Sequence, residues 1–151
     1  MQLSRKRFEP RDTASSGWRA ALAARLWDSA RKRSSLDRKR TALRRIPLFA
    51  GLPQERFELL ARNAEVVAVP AGIDVIREGE AGHEFFAIAA GEVEISKKGR
   101  RVATERAGDV FGEIALLRGI PRTATVTTTA PSQLFVLHAQ AFHSLVAPSF
   151  S

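Results

Sequence analysis

The spacing of apolar residues divides the chain into a helical first part and a second part rich in short strands. Residues 1–16 mix basic, hydroxyl and proline residues without an apolar period, which predicts a mobile tail. Further along, Trp18, Leu22 and Leu26 recur every four residues, so they place one narrow apolar stripe on a helix. We therefore predict a helix from residue 17 to about residue 30.

Three shorter helices are predicted around the strand-rich part. The first includes Leu43 and ends before Pro47, because proline disfavours a helical conformation in the residue before it. The second covers residues 53–63 and opens with a proline, and the last begins near Ala139. The apolar faces consist of Phe57, Leu60 and Ala61 in the second helix and of Phe142, Leu145 and Val146 in the last.

Short runs rich in β-branched and aromatic residues lie between these helices, separated by glycines and polar turns. The runs are 66–69, 74–76, 84–88, 92–95, 101–103, 123–126 and 133–137. Lys98 and Gly99, between the fourth and fifth runs, predict a tight hairpin turn. Many short strands at this spacing indicate a barrel or a sandwich.

Charge separates the same two parts of the chain. Residues 1–46 carry fourteen Lys or Arg against four Asp or Glu, a net charge of +10, whereas residues 47–151 carry ten against twelve, a net charge of −2. A chain of 151 residues accommodates one domain and a modest appendage. We therefore predict a basic, partly disordered and helical segment over residues 1–46 and one folded domain over residues 47–151.

The basic segment has three interpretations. A solvated arm is the commonest outcome for such a composition, whereas Trp18, Trp27 and the arginines favour an amphipathic helix on an anionic membrane face. Nucleic-acid binding rests on charge alone, and it is disfavoured because no helix-turn-helix pattern follows the strands. No window approaches the roughly 18 apolar residues of a spanning helix, so the expected location is cytoplasmic, at the inner face of the membrane under the second interpretation.

One segment, residues 111–125, breaks the rhythm of the strands. Gly112 precedes about one turn of helix-forming residues, where a glycine lets a ligand approach the backbone and free amides bind anions. Arg122 adds forked donors that fit phosphate oxygens. Glu113 cannot help an anion, so it must accept hydrogen bonds from Arg122 or from a ligand hydroxyl. A phosphate beside a sugar hydroxyl satisfies all three residues.

The motifs that begin at Phe111 and at Pro121 resemble the phosphate-binding cassette of the cyclic nucleotide-binding domain family. They read Phe-Gly-Glu-Ile-Ala-Leu over 111–116 and Pro-Arg-Thr-Ala-Thr-Val over 121–126. The family includes regulatory subunits of cyclic-nucleotide-dependent kinases, gated channels and catabolite activator proteins. The resemblance covers about residues 46–146 and implies a mainly β fold, an eight-stranded jelly-roll barrel with flanking α-helices.

The same resemblance implies the ligand, cAMP or cGMP, bound as a ligand and not as a catalytic cofactor. Arg122 would grip the cyclic phosphate, and Glu113 would take the ribose 2′-hydroxyl. The backbone amides around Ile114 and Ala115, next to Gly112, would complete the phosphate cradle.

Two features of the resemblance concern the base. Thr123 matches a position that can bond the guanine amino group in members favouring cGMP, but threonine also stands there in members favouring cAMP, so the base preference stays open. Family members extend beyond the last helix of the barrel into a helix that covers the base. The residues after about 146 are too few for that helix, so the predicted domain lacks most of it.

Two functions fit these observations. The first is a non-catalytic, cyclic-nucleotide-sensing regulatory module, free-standing or part of a larger channel, transporter or enzyme, which acts on an unknown effector by population shift. The second is a ligand-independent scaffold in which Glu113 and Arg122 form a structural ion pair and the basic segment docks on membrane, nucleic acid or acidic protein.

Catalytic and metal chemistry have no candidates in this sequence. The absence of cysteine excludes disulfides, thiolate metal ligands and a cysteine nucleophile, and no other nucleophile stands beside a base. His83, His138 and His143 lack companions at metal-ligand spacing, so we assign them to surface or packing roles. We therefore predict neither an enzyme nor a metal site.

Overall fold

The computed structural model of the chain describes residues 36–150. The predicted tail and the predicted helix from residue 17 to about residue 30 lie outside the described residues. The α-helices within the described range are α1 Leu36–Leu43, α2 Pro47–Ala50, α3 Gln54–Asn63, α4 Glu113–Arg118 and α5 Ala139–Leu145. The strands are β1 Glu65–Val69, β2 Asp74–Ile76, β3 Glu84–Ala90, β4 Glu92–Lys97, β5 Arg100–Arg106, β6 Val110–Phe111, β7 Thr125–Thr128 and β8 Ser132–His138. A 3-10 turn over Ala147–Phe150 follows α5.

The eight strands form two antiparallel sheets of four. One sheet has the order β1-β8-β3-β6 and the other the order β2-β7-β4-β5. Consecutive strands therefore cross repeatedly between the sheets, as in a jelly roll. The predicted eight-stranded mainly β fold is confirmed, although the two sheets face each other without closing into a barrel.

Alternate side chains of the central strands point to opposite faces of the sheet and contribute to two separate cores. In β3, Phe86 and Ile88 point into the space between the sheets, whereas Phe85 and Ala87 point to the outer face of the first sheet. Strand β8 repeats this pattern, with Leu134 facing inwards. Because helices cover the outer face, the side chains on both faces of these strands are buried. This double burial explains the unbroken apolar runs in the sequence.

The helical layer packs on that outer face. Leu43 and Ile46 are 0% and 1% exposed and share a core with Phe85 and with residues of α3 and α5. The guanidinium of Arg40 in α1 donates from Nη2 to Oε1 of Glu58 in α3 over 2.9 Å. Residues on both sides of Pro47 therefore contribute to one core.

Most of the predicted elements are present. The structure confirms the short helices around Leu43, over residues 53–63 and from Ala139, and the hairpin turn, where Lys98 and Gly99 have φ of 48° and 78°. The strand predicted over residues 123–126 begins only at Thr125, and the two-residue strand β6 was not predicted. No helix of the described part of the chain is long and apolar enough to cross a membrane.

Arg122 lies three residues before Thr125, where strand β7 begins. Its backbone pairs with the turn before β3 instead. The Arg122 amide donates to the carbonyl of Glu80 over 2.8 Å, and the Gly79 amide donates to the Arg122 carbonyl over 2.8 Å. These bonds hold the residue outside the regular ladder of β7.

Candidate functional site

All six residues predicted for the site line one pocket. Its volume is about 180 Å³, and its walls come from α4, from strands β2, β4, β5, β6 and β7, and from the loop before β7. The predicted residues that line it are Gly112, Glu113, Ile114, Ala115, Arg122 and Thr123. The chain thus brings the two halves of the sequence motif together around one space.

Gly112 shapes the entrance to α4. Its φ of 93° lies in the left-handed region, which disfavours any residue with a Cβ atom. A Cβ at this position would also stand 3.1 Å from Nη1 of Arg122 and 3.3 Å from the carbonyl oxygen of Glu84. Glycine is therefore required both by the backbone conformation and by the close approach of the arginine.

Helix α4 connects the pocket with the helical core. Ala115 is 6% exposed and lines the pocket, whereas the next residue, Leu116, belongs to the core shared with α3 and α5. Ile114, which also lines the pocket, and Leu117 are exposed. The helix ends at Gly119, whose φ is 65° and whose amide donates to the carbonyl of Ala115.

Arg122 is buried and held in place by two carbonyl groups. Its side chain is 6% exposed; Nη1 donates to the Gly112 carbonyl over 2.8 Å, and Nη2 donates to the Glu84 carbonyl over 2.7 Å. These bonds use two of the five N–H donors of the guanidinium. A Cβ added to Gly82 would lie 2.8 Å from Cζ and Nε of Arg122. Gly82 therefore leaves room for the guanidinium.

The charge of Arg122 has no matching carboxylate at ion-pair distance in the described part of the chain. Burial lowers the pKa of Arg122, although the more distant carboxylates of Glu84 and Glu113 pull it upwards. An arginine stays protonated under such a shift because its ordinary pKa lies far above neutral pH. A buried cation with only neutral acceptors makes the pocket suited to an anion.

Glu113 stands at the same pocket with an unused acceptor. Its Oε1 atom is buried and finds no hydrogen-bond partner within residues 36–150, and the side chain forms no ion pair with Arg122 there. The structural ion pair of the scaffold interpretation is therefore absent from the described residues. A buried carboxylate oxygen without a donor is costly, so a ligand hydroxyl is a suitable partner.

The sequence interpretation missed two charged residues of the pocket, Glu105 in β5 and Lys97 in β4. Alternation within β5 taken alone would favour Val102 as an inward residue, yet Val102 is 55% exposed. The register with β4 decides the matter: Glu105 lies opposite Val93, and Ala103 lies opposite Ile95. Directly opposed residues share one face of a sheet, so Glu105 points inwards with Val93.

Glu105 is an acid with an unusual environment. Burial and the neighbouring carboxylates of Asp109 and Glu113 raise the pKa of Glu105 to about 7. The usual value is 4.5, so the folded chain holds a proton that the unfolded chain releases at lower pH. The contribution of this group to stability is therefore present below about pH 4.5 and is lost as the pH rises to about 7.

The remaining residues that the sequence analysis singled out are Thr123 and the histidines. Thr123 is half-buried at the wall of the pocket, directly after Arg122. Asp109 closes the turn before β6, because its Oδ2 accepts the amide of Arg106 over 2.9 Å. His138 and His143 are exposed, and the described residues contain no group of three or more side chains arranged for a metal ion.

Comparison with known proteins gives the fold and the pocket a family context. A family model of the cyclic nucleotide-binding domain matches residues 66–149. The cAMP-dependent protein kinase regulatory subunit of Yarrowia lipolytica is 39% identical over 108 residues, which are 70% of this chain and 29% of that protein. The cGMP-dependent protein kinase of Toxoplasma gondii is 36% identical over 111 residues, which are 73% of this chain and 11% of that protein.

A solved structure shows the same fold. The co-crystal structure of the regulatory domain of Toxoplasma gondii PKA with cAMP superposes with a TM-score of 0.70 and 28% identity, over 80% of this chain and 48% of that chain. The chain spans less than a third of the length of the two curated relatives. Since the family model covers more than half of the chain, the chain belongs to the cyclic nucleotide-binding domain family.

Proposed function

We propose that this chain is a non-catalytic module that binds a cyclic nucleotide, cAMP or cGMP, and passes the binding signal to an effector. Arg122 binds the cyclic phosphate, and Glu113 accepts a hydrogen bond from the ribose 2′-hydroxyl. The amides of Ile114 and Ala115 complete the phosphate cradle. The observation that carries the proposal is the buried Arg122 beside the unused acceptor of Glu113 in one pocket.

The phosphate assignment follows from the energetics of a buried charge. Taking a guanidinium out of water costs several kcal/mol unless an opposite charge and hydrogen bonds compensate it. Two carbonyls orient Arg122 but carry no net charge. A cyclic phosphate supplies one negative charge and oxygens that accept the remaining donors. The two carbonyls hold the fork in place before the ligand arrives, so little side-chain entropy is lost on binding.

The signal is proposed to leave the pocket through α4. Ala115 contacts the ligand space, and Leu116 packs in the helical core with α3 and α5. A ligand that prefers one position of α4 shifts the population of the packed helices towards that position. The relatives that are kinases or kinase regulatory subunits favour a protein kinase as the class of effector.

We also propose that the chain consists of a basic N-terminal segment followed by the binding domain. Leu43 and Ile46 support a folded unit that begins upstream of Pro47, because both are buried in the helical core. A shortened chain for experiments would therefore begin at Leu36 and not at Pro47.

Titration calorimetry with cAMP and cGMP tests the proposal. We expect saturable binding of at least one of the two nucleotides with one site per chain, and no binding of adenosine or guanosine at the same concentrations, because the nucleosides lack the phosphate. Absence of binding by both cyclic nucleotides would reject the sensor and favour the ligand-independent scaffold.

The ribose assignment predicts a ligand-dependent effect of Glu113→Gln. We expect this substitution to weaken binding of the ribose form by about 10-fold, the range for a hydrogen bond to a charged group. The 2′-deoxy form never makes this hydrogen bond, so its affinity should change by less than about 2-fold. Equal losses for the two ligands would remove the ribose role from Glu113.

The contact between Gly82 and Arg122 predicts a loss of affinity in Gly82→Ala. The new Cβ would lie 2.8 Å from the guanidinium, so the arginine must move away from its carbonyl partners. We expect an affinity loss of about 10-fold or more, as for a misplaced charge-assisted contact. Gly51→Ala is the control, because a Cβ at Gly51 meets no atom within 4 Å and its φ is −88°. Equal affinities of the two variants would contradict the placement of the phosphate at Arg122.

A further inference from the structure

Glu105 is a charged residue that the assignment of phosphate and ribose leaves without a role. It lies on β5, opposite Val93 of β4, and its side chain therefore faces the interior of the sandwich. It lines the same pocket as Arg122 and Glu113. Its Oε1 atom is buried and has no hydrogen-bond partner within the described residues. An acceptor is thus available inside the pocket.

The wall around Glu105 differs from the wall around α4. Ile76 and Ile95 line the pocket from β2 and β4, and they offer apolar surface. The polar contacts for phosphate and sugar come from α4 and from the loop before β7, where Glu113 and Arg122 are placed. The remaining part of a cyclic nucleotide is the purine base. An apolar wall with one carboxyl group suits the face and the edge of such a base.

Charged residues from four other segments act on this carboxyl group or line its pocket. Asp109 in the turn before β6 and Glu113 on α4 are negative. Lys97 on β4 and Arg122 before β7 line the same pocket and are positive. The two carboxylates repel the carboxyl group of Glu105 and, together with its burial, raise its pKa. The buried and unpartnered Oε1 atom of Glu105 in the pocket wall can accept a hydrogen bond from an uncharged donor group of a ligand.

Resting on the proposed function, we propose that Glu105 reads the base by accepting a hydrogen bond from an exocyclic amino group of the purine. The ligand class is a cyclic purine nucleotide that bears such a group, N6 in adenine or N2 in guanine. A base without the amino group leaves the Glu105 acceptor unpaired, and unpaired buried acceptors are the strongest source of discrimination against a near-identical ligand.

The experiment compares two ligand pairs on the full chain by titration calorimetry. The first pair is cAMP and the cyclic nucleotide of unsubstituted purine, and the second is cGMP and cIMP; the members of each pair differ only in the amino group. We expect the wild-type chain to prefer the amino-bearing member of at least one pair by about 10-fold, the size of a hydrogen bond to a charged group. The pair that shows the preference identifies the base.

Two variants test whether Glu105 causes the preference for the amino-bearing ligand. Glu105→Val places a β-branched residue that fits a sheet interior at this position. It should abolish the preference, because it removes the hydrogen bond that only the amino-bearing ligand makes. Thr104→Val is the matched control, because Thr104 precedes Glu105 on β5 and points to the other face of the sheet. The Thr104→Val variant should prefer the amino-bearing ligand as strongly as the wild-type chain does. Thermal unfolding of each variant checks that the fold is kept.

The pH dependence supplies a second readout that does not depend on a large substitution. The pKa of about 7 places Glu105 between its two charge states near neutral pH. An amino donor favours the ionised form, so the preference within the pair should be larger at pH 8 than at pH 6. Repulsion between Glu105 and the phosphate acts on both members equally and cancels in the ratio. In Glu105→Gln the ratio should not change with pH.

Three results would overturn the inference. Equal affinities within both pairs, or a Glu105→Val effect that is the same for both members of a pair, would show that Glu105 does not contact the amino group. A preference that is independent of pH in the wild-type chain would show that the ionised carboxylate is not the acceptor. Failure of all four ligands to bind would instead reject the proposed function, and this inference with it.

Discussion

Replacing Arg122 by alanine is expected to lower the affinity for cyclic nucleotide by about 10- to 150-fold, the range for the loss of a hydrogen-bonded charge of about 1.5–3 kcal/mol. The guanidinium is buried and oriented by the carbonyls of Gly112 and Glu84. The alanine variant therefore loses both the charge and the donors that the fold holds in place for the phosphate. Titration calorimetry with the preferred cyclic nucleotide measures the loss.

Two further substitutions make the result specific. Arg118→Ala removes the same charge from the exposed end of α4 and should leave the affinity within about 2-fold, because exposed charges contribute little. Arg122→Lys keeps the charge but loses the forked geometry, so its affinity should fall between those of the wild type and of Arg122→Ala. An unchanged affinity of Arg122→Ala would remove the phosphate from this position.

Replacing Phe85 by alanine is expected to lower the free energy of unfolding by about 3–5 kcal/mol, the usual cost of deleting a buried aromatic ring. The Phe85 ring is 1% exposed, and its centroid lies 4.7 Å from that of Phe142 in α5 and 6.3 Å from that of Phe49 in α2. The ring thus joins β3 to helices from both ends of the described chain. Denaturation by urea, followed by circular dichroism, measures the change.

The control for this prediction is Val102→Ala, because Val102 is 55% exposed on β5 and should change the free energy of unfolding by less than about 0.5 kcal/mol. Phe85 also follows Glu84, whose carbonyl holds Arg122, so the cavity is expected to weaken ligand binding as well. A loss of less than about 1 kcal/mol in Phe85→Ala would contradict a core shared by the helices and the first sheet.

The pocket was predictable to the extent that its residues are close in sequence. Gly112 and Arg122 are ten residues apart, and the segment between them is a glycine, one short helix and a corner. Such a unit has a residue pattern that local conformational rules explain, namely a left-handed glycine before α4 and another after it. The six predicted residues therefore line one pocket.

The position of Glu105 in the pocket depends on how strand β5 pairs with strand β4. Strand β5 carries a weak apolar pattern, and an irregularity in its pairing with β4 lies between Ile95 and Ser96. Such a shift changes which residues face the interior, and no local rule predicts where it occurs. The same holds for Gly82, which the sequence marks only as a turn residue and which the fold places against Arg122.

The sequence by itself determined most of the element types and the short motif from Gly112 to Thr123, because both depend on periodicity or on contacts between near neighbours. The jelly-roll class followed from the resemblance of that motif to a known family, since the strand spacing alone indicated only a barrel or a sandwich. Only the tertiary structure decided that Glu105 faces the pocket and that Leu43 and Ile46 complete the helical core. It also decided that Arg122 bonds to Gly112 and Glu84 and leaves Glu113 without a partner in the described residues. These contacts join distant segments, and their geometry is set by strand register and close packing, which side-chain patterns along the chain do not encode.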